Sequence, residues 1–258
     1  MQNIEFVTFE EALPVLQKLR RMNPLIHCMT NEVVQEITAN VLLAAGASPA
    51  MVVANQEAEQ FVVNSSALLI NLGTPYESRL VTMRGTVEAA KRANIPWVLD
   101  PVAAGGIPWR NEIIKEFVRY TPTAIRGNAS EILFLAGEGA GGKGVDSTDS
   151  SDKALNGAVN LAKQAQTIVV VTGEVDYATD GKKILATKGG NPMITKVVGT
   201  GCSLSALLAA FLATSAEDPL FAAIACCAYV NRAGEIAGSK SQGPGSFHNH
   251  YLDALYTL

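Results

Sequence analysis

The stretch Thr195–Ala210, TKVVGTGCSLSALLAA, decides how this chain is read. Two valines, Val197 and Val198, run into Gly199-Thr200-Gly201, and an apolar helical run follows from Ser203. A strand or loop that feeds a helix through a glycine turn exposes the first amides of that helix, which have no partner inside it. Glycine lets such backbone approach a ligand closely, and the helix dipole adds a partial positive charge. An anion, most often a phosphate, suits the place. The amides of Gly199, Thr200 and Gly201 are therefore the candidate phosphate cradle. Cys202 falls in the first turn, a position that biases a thiol towards thiolate. One short glycine motif also makes an ordinary tight turn, so the rest of the chain has to decide.

Working outward, short apolar runs alternate with helical patterns. Leu25–Met29 has strand character and ends at Thr30-Asn31; a helix over about 32–45 stops at Gly46. Ala67–Asn71 (ALLIN) reads as a buried strand closed by Leu72-Gly73-Thr74, Ile168–Thr172 reads likewise, and the run Ile95–Pro101 holds another strand that ends at Asp100. Helices are expected at about 55–63, 76–93 and 110–119 between them. Thr8 with Glu11, and Asn128 with Glu131, have the spacing of capping boxes. Asp180-Gly181 reads as a hairpin turn, and helices are expected at about 217–238 and 247–256, split by Gly243-Pro244-Gly245. Strand and helix in alternation predict an α/β fold with a mostly parallel central sheet and helices on both faces. No repeat and no linker interrupts residues 1–258, so one domain is expected. Residues 137–152, rich in glycine and serine, read as a mobile loop.

The composition sets outer bounds. The chain has 258 residues, 48% hydrophobic and 17% charged, enough for one large core. A net charge of −4 without basic blocks disfavours nucleic acid and anionic membranes as partners. The opening MQNIEFVTFEEALP lacks the apolar core of a signal peptide. The apolar run at 219–230 is too short to span a bilayer and reads as a buried helix. Four cysteines, Cys28, Cys202, Cys226 and Cys227, lack CxxC spacing, which points to a reduced, cytoplasmic protein without disulfides or zinc.

Ligands of open α/β sheets bind beyond the carboxyl ends of the strands. Asn31, Gly73, Asp100, Arg126-Gly127 and Gly173 should therefore converge on one crevice. Asp100 and Glu131 could hold Mg²⁺ through waters; equally, Asp100 could be a turn residue before Pro101 and Glu131 a capping residue. Arg126 could pair with phosphate oxygens or form a surface ion pair. Thr172 and its neighbouring amides could touch a nucleotide phosphate or simply end a strand. Lys143 is more often a solvated loop lysine than a triphosphate ligand. His27 reads as a core histidine, and His248 and His250 as surface residues. No Walker motif is present.

Eight blocks, taken together, resemble the hydroxyethylthiazole kinases: NPLIHCMTNEVVQEITANVLLAAGASPAM, INLGT, LDPVAAGG, AIRGNASEI, GKGVDS, VVVTGEVD, TKVVGTGCSLSAL and GPGSF. They run in family order from residue 23 to residue 247. The resemblance implies a ribokinase-like α/β fold and phosphorylation of 4-methyl-5-(2-hydroxyethyl)thiazole by ATP with Mg²⁺, in thiamine salvage. It implies a cytoplasmic homotrimer with sites at subunit interfaces. By matching motif, Met51, Gly199 and Asn31 would lie on the thiazole side, Arg126 and Thr172 on ATP, and Asp100 and Glu131 near magnesium. Cys202 stands where the wider superfamily usually carries an aspartate base. Departures from the family pattern are small: Met29, Glu32 and Thr200 stand where isoleucine, an uncharged residue and alanine are expected. Other readings are a different ribokinase-like enzyme, such as a hydroxymethylpyrimidine kinase or a dehydratase of hydrated nicotinamide nucleotides, and a non-catalytic binding protein.

Overall fold

Alternate residues of the central strands feed two different cores, and that alternation builds the layers. The computed structural model describes residues 3–138 and 150–258. Leu69, Val98 and Val170 enter one core cluster, while Leu68, Ile70, Trp97, Leu99, Val169 and Val171 enter the other. Successive strand side chains point to opposite faces, so strands apolar at every position need helices on both sides.

The strands are β1 (Ile4–Phe6), β2 (Leu25–Met29), β3 (Ser48–Ala50), β4 (Ala67–Asn71), β5 (Trp97–Asp100), β6 (Ala124–Asn128), β7 (Ile168–Thr172), β8 (Val175–Thr179) and β9 (Ile184–Lys188). They form one nine-stranded sheet in the order β1-β9-β8-β7-β6-β5-β4-β2-β3. Only β8 runs against its neighbours, through the hairpins β7–β8 and β8–β9. The expected mostly parallel sheet is therefore present. The strands β1 and β3 were not expected; each has three residues, too few to show a pattern, and both lie at sheet edges.

One face is covered by α1 (Phe9–Met22), α2 (Gln35–Ala45), α8 (Thr200–Thr214), α9 (Pro219–Lys240) and α10 (Pro244–Thr257). The other carries α4 (Glu77–Arg92), α5 (Pro108–Arg119), α6 (Ala129–Leu135) and α7 (Ser151–Ala165), with α3 (Ala58–Val62) beside them. Both expected capping boxes form, Thr8 with Glu11 and Asn128 with Glu131. Gly46 ends α2 in the left-handed conformation. Helix α2 begins at Gln35, three residues later than expected, because Glu32 and Val33 belong to a turn anchored by Asn31. Pro244 and Gly245 open α10 rather than standing between helices.

Helix α8 is apolar on all sides and packs centrally. The helix expected at about 217–238 is α9, Pro219–Lys240, 22 residues in all. By length and composition α9 could cross a bilayer, yet 72% of its apolar window is packed inside the protein. Cys28, Cys226 and Cys227 are buried core residues, as their apolar settings predicted for the last two. Most of the 137–152 loop, Lys143 and the GKGVDS block lie outside the described residues.

Candidate active site

Helix α8 starts at Thr200, three residues before the apolar run suggested, so Gly199 is its N-cap. Gly199 has φ +85, and a Cβ there would meet Ile37 Cγ2 at 2.5 Å and Val34 Cγ1 at 2.9 Å. Only glycine fits both conditions. The Ser203 amide already donates to the Gly199 carbonyl at 2.8 Å, which leaves the amides of Thr200, Gly201 and Cys202 as the helix's free first donors. A short 3-10 helix, Pro192–Lys196, and not a strand leads into this turn. The Thr200 hydroxyl ties the two together by donating to the Ile194 carbonyl at 2.9 Å.

The carboxyl ends of β2, β4, β5, β6 and β7 face this turn. Asn31 follows β2 and donates through Nδ2 to Cys202 Sγ at 3.4 Å and to Asn71 Oδ1 at 3.0 Å. Asn71, the last residue of β4, donates to Asp100 Oδ2 at 2.8 Å, and so does Ser205 Oγ of α8 at 2.8 Å. Cys202, Asn31, Asn71, Asp100 and Ser205 thus form one hydrogen-bonded chain at the foot of the crevice. Neither Asn71 nor Ser205 stood out in the sequence as a site residue. Asparagine closing an otherwise apolar strand was the one visible signal for Asn71; Ser205 reads as a small residue of an apolar helix.

Arg126 lies within β6, and its Nη2 donates to the Thr172 hydroxyl at the end of β7. Its guanidinium also lies against Gly201, where a Cβ would stand 3.1 Å from Nη1. The glycine therefore makes room for the arginine at the mouth of α8. Arg126 Nε is buried without a hydrogen-bond partner. Burial raises the pKa values of Asp100, Glu131, Asp176 and Cys202, and the positive charge of Arg126 opposes that rise at each of them. So Arg126 is no surface ion pair; it is the central cation of the crevice. Buried Asp176 of β8 supports the same region, accepting from the Gly173 amide and from Asn231 Nδ2, each at 2.9 Å.

Both readings of Glu131 hold at once. It closes the capping box, its Oε2 accepting from the Asn128 amide, while Oε1 accepts from the Ala103 amide at 2.8 Å. It is also buried near Asp100, and burial first, then the charge of Asp100, raises its pKa to about 7. Asp100 is raised too, by burial, against the pull of Arg126, Ser205 and Asn71. Two buried carboxylates, one of which disfavours the charge of the other, suit a cation. Both hydrogen bonds to Asp100 end on Oδ2, leaving Oδ1 available, and each Glu131 oxygen takes one amide. The pair fits a hydrated Mg²⁺, which takes one or two carboxylates and keeps several waters. Among the described residues no group of three or more His, Cys, Asp or Glu could hold a metal.

The thiol of Cys202 contradicts one expectation. Burial first, then the nearby Asp100, push its pKa up to about 12. Asn71, Asn31 and Arg126 pull the other way without reversing the rise, so Cys202 is protonated at neutral pH. Met51 follows the edge strand β3 and packs on the same core cluster as Cys202, outside the hydrogen-bonded chain. His27 is buried with Nε2 2.7 Å from the Val52 carbonyl and Nδ1 without a partner. His248 is half-buried instead of exposed; it lines a groove of about 340 Å³ beside the turn, with Val33, Ile37 and Val198.

Comparison with known proteins places these features in a common setting. The model of the hydroxyethylthiazole kinase family matches residues 16–258. A hydroxyethylthiazole kinase of Escherichia coli is 51% identical over 255 residues, covering 99% of this chain and 97% of the relative. One of Shigella boydii serotype 18 is 50% identical over the same span. The solved hydroxyethylthiazole kinase of Pyrococcus horikoshii is 35% identical, with a TM-score of 0.89 over 96% of this chain and 94% of that one. A ribokinase-like superfamily protein of Enterococcus faecalis, 11% identical, has a TM-score of 0.70 over 99% of this chain and 96% of its own, a likeness of fold alone.

Proposed function

The chain belongs to the hydroxyethylthiazole kinase family, and from that premise we propose that it phosphorylates the hydroxyl of hydroxyethylthiazole with ATP, in thiamine salvage, in the crevice at the mouth of α8. The single observation that carries the placement is the meeting of three groups there. The free amides of Thr200 to Cys202, the Arg126 guanidinium and the Asn31–Cys202 contact share one space.

Phosphoryl transfer asks mostly for positioning and charge stabilisation. The amides of Thr200, Gly201 and Cys202, which Gly199 caps, receive the equatorial oxygens of the transferred group. Arg126, held by Thr172, meets the phosphates of ATP from the β6–β7 side. The thiazole lies on the opposite side, by Asn31, Gly199 and Met51, with its hydroxyl against Cys202. A thiol with its pKa at about 12 orients that hydroxyl as a hydrogen-bond partner and is not a thiolate base. Asp100 and Glu131 would hold Mg²⁺ through its water shell. When bound, the ion neutralises charge developing on the phosphates.

The same reading takes residues 1–258 as one ribokinase-like domain acting as a homotrimer in the cytoplasm. Val33 and Val198, each 66% exposed beside the α8 turn, support a subunit contact close to the site. Four free cysteines agree with a reducing compartment.

The test is incubation of the purified protein with ATP, Mg²⁺ and a panel of small alcohols. Thiazole phosphate should form first and fastest. Faster phosphorylation of a hydroxymethylpyrimidine, or binding without turnover, would overturn the reading. Size-exclusion measurement of mass tests the trimer.

A further inference from the structure

Arg110 stands where a helix does not favour a cation. It lies in the first turn of α5, which has no acidic residue there. The positive end of the helix dipole disfavours a positive side chain at that position, and its Nε is buried without a partner. Something else must repay that placement. The other end of the side chain supplies it: Nη1 donates to the carbonyl of Leu72, to that of Gly73 at 3.1 Å and to that of Val102 at 3.4 Å. These carbonyls belong to the two loops that follow β4 and β5, directly after Asn71 and Asp100. One guanidinium nitrogen therefore joins the loops on either side of the buried Asn71–Asp100 bond.

Gly73 is the link from that clamp to the sulfur. A Cβ on Gly73 would stand 2.6–2.8 Å from Nδ2, Cβ and Cγ of Asn31, so the loop closes directly over the Asn31 side chain. The Gly73 amide and Asn31 Nδ2 both donate to Asn71 Oδ1, each at 3.0 Å. The same Nδ2 reaches Cys202 Sγ. On the other side of Asn31, buried Arg79 of α4 donates through Nη2 to the Thr30 carbonyl. Thr74 Oγ1 accepts from the Glu32 amide at 3.1 Å. The loop that carries Asn31 is thus fixed by Arg79, and the loop that closes over its side chain by Arg110.

We infer that Arg110 is a positioning residue for phosphoryl transfer, acting through Gly73 on Asn31 and so on the Cys202 thiol that faces the acceptor hydroxyl. The inference rests on the placement of the reaction proposed above. It differs from a purely structural role in what it affects. Arg110 makes no contact with Arg126 or Thr172; its bonds to Leu72 and Gly73 hold the acceptor side, and only the longest, to Val102, lies beside the Ala103 amide that binds Glu131. Its loss should therefore lower turnover with the thiazole and leave the Michaelis constant for ATP nearly unchanged.

The experiment is a double-mutant cycle on the full-length enzyme, with kcat, both KM values and the thermal midpoint read for each protein. Arg110→Met should lower kcat by about 10-fold to 100-fold, the range for a small misplacement of reacting groups. It should leave KM for ATP within about twofold, and Arg110→Lys should recover part of the loss. In an Asn31→Ala background the same change should cost less than about twofold, because both act on one contact. Equal losses in the two backgrounds, or a rise in KM for ATP matching the fall in kcat, would overturn the inference. If Arg110→Met does not fold, Gly73→Ala makes the same test by pushing on the Asn31 carboxamide; full turnover in that variant would also overturn it. Failure of the wild-type protein to form thiazole phosphate would strike the placement of the reaction instead.

Discussion

The side-chain amide of Asn31 reaches the sulfur of Cys202 at 3.4 Å, joining the end of β2 to the first turn of α8. The contact spans 171 positions of chain, and it places a hydrogen-bond donor on a thiol that does not ionise at neutral pH. Asn31→Ala should lower turnover by about 10-fold while the protein keeps its fold, since one hydrogen bond and its preorganisation are lost. Single-turnover kinetics check this; an unchanged rate removes Asn31 from the acceptor side.

Cys202→Ala follows from the same geometry. A general base contributes about 100-fold to 10,000-fold, whereas a neutral thiol that only orients the hydroxyl contributes less. The alanine variant should therefore lose less than about 100-fold in turnover, with ATP binding largely intact. Its pH–rate profile should lack no limb that the wild type shows near the ordinary cysteine range. A larger loss, together with a lost limb, would return Cys202 to the role of base.

Arg126→Ala removes the cation shared by Thr172, Asp100 and the α8 turn. Charged hydrogen bonds are worth about 1.5–3 kcal/mol, so KM for ATP should rise by about 10-fold to 100-fold. KM for the thiazole should change little. Initial-rate measurements with each substrate varied in turn decide it; a defect confined to the thiazole would contradict the assignment.

Glu131 gives the metal-free protein a pH-dependent stability. Its pKa is raised from 4.5 to about 7 by burial and then by Asp100, against the pull of two backbone amides and Arg126. The folded state therefore binds the proton more tightly than the unfolded one. The stability this adds is fully present below about pH 4.5 and is lost as pH rises through about 7, by up to about 3 kcal/mol. His27 works in the other direction: burial lowers its pKa, so its contribution is present above about 6.5 and falls as the pH drops. Chemical denaturation at several pH values should show the Glu131 slope vanish in Glu131→Gln, and Mg²⁺ should flatten it in the wild type. A slope unchanged by the substitution would show that Glu131 does not carry it.

Gly199→Ala should destabilise the protein by about 1–3 kcal/mol, the usual cost of a strained backbone conformation. The added methyl would also press on Ile37 and Val34. Thermal unfolding checks this.

Much of this was legible in the chain, and the exceptions share a cause. The strands at 67–71 and 168–172 were visible because two helical layers demand side chains that are apolar without interruption. The capping boxes were visible because the partners are three residues apart. Asp100, Glu131, Arg126 and Asn31 could be placed in one crevice from strand ends alone. What depended on distant neighbours was not legible. The helix N-terminus beside Cys202 is local, but the burial and the Asp100 charge that raise its pKa come from elsewhere in the fold. Ser205 and Arg110 act through partners 105 and up to 38 positions away, and nothing near them in sequence announces it; for Asn71, whose partner lies 29 positions away, only its place at the end of an apolar strand did. The short edge strands were missed for want of length.

The parallel pairing of β1 with β9, with Ile4 opposite Ile184, imposes an order on synthesis. Ile4–Phe6 leaves the ribosome long before Ile184–Lys188 exists, so this segment has to wait, unpaired, while the rest of the sheet assembles. Glu5 later meets Lys183, and Lys188 comes to lie over the Phe6 ring. This seam joins a strand made early to the end of the hairpin, and until it closes, the hairpin's outer border lies open to any passing chain.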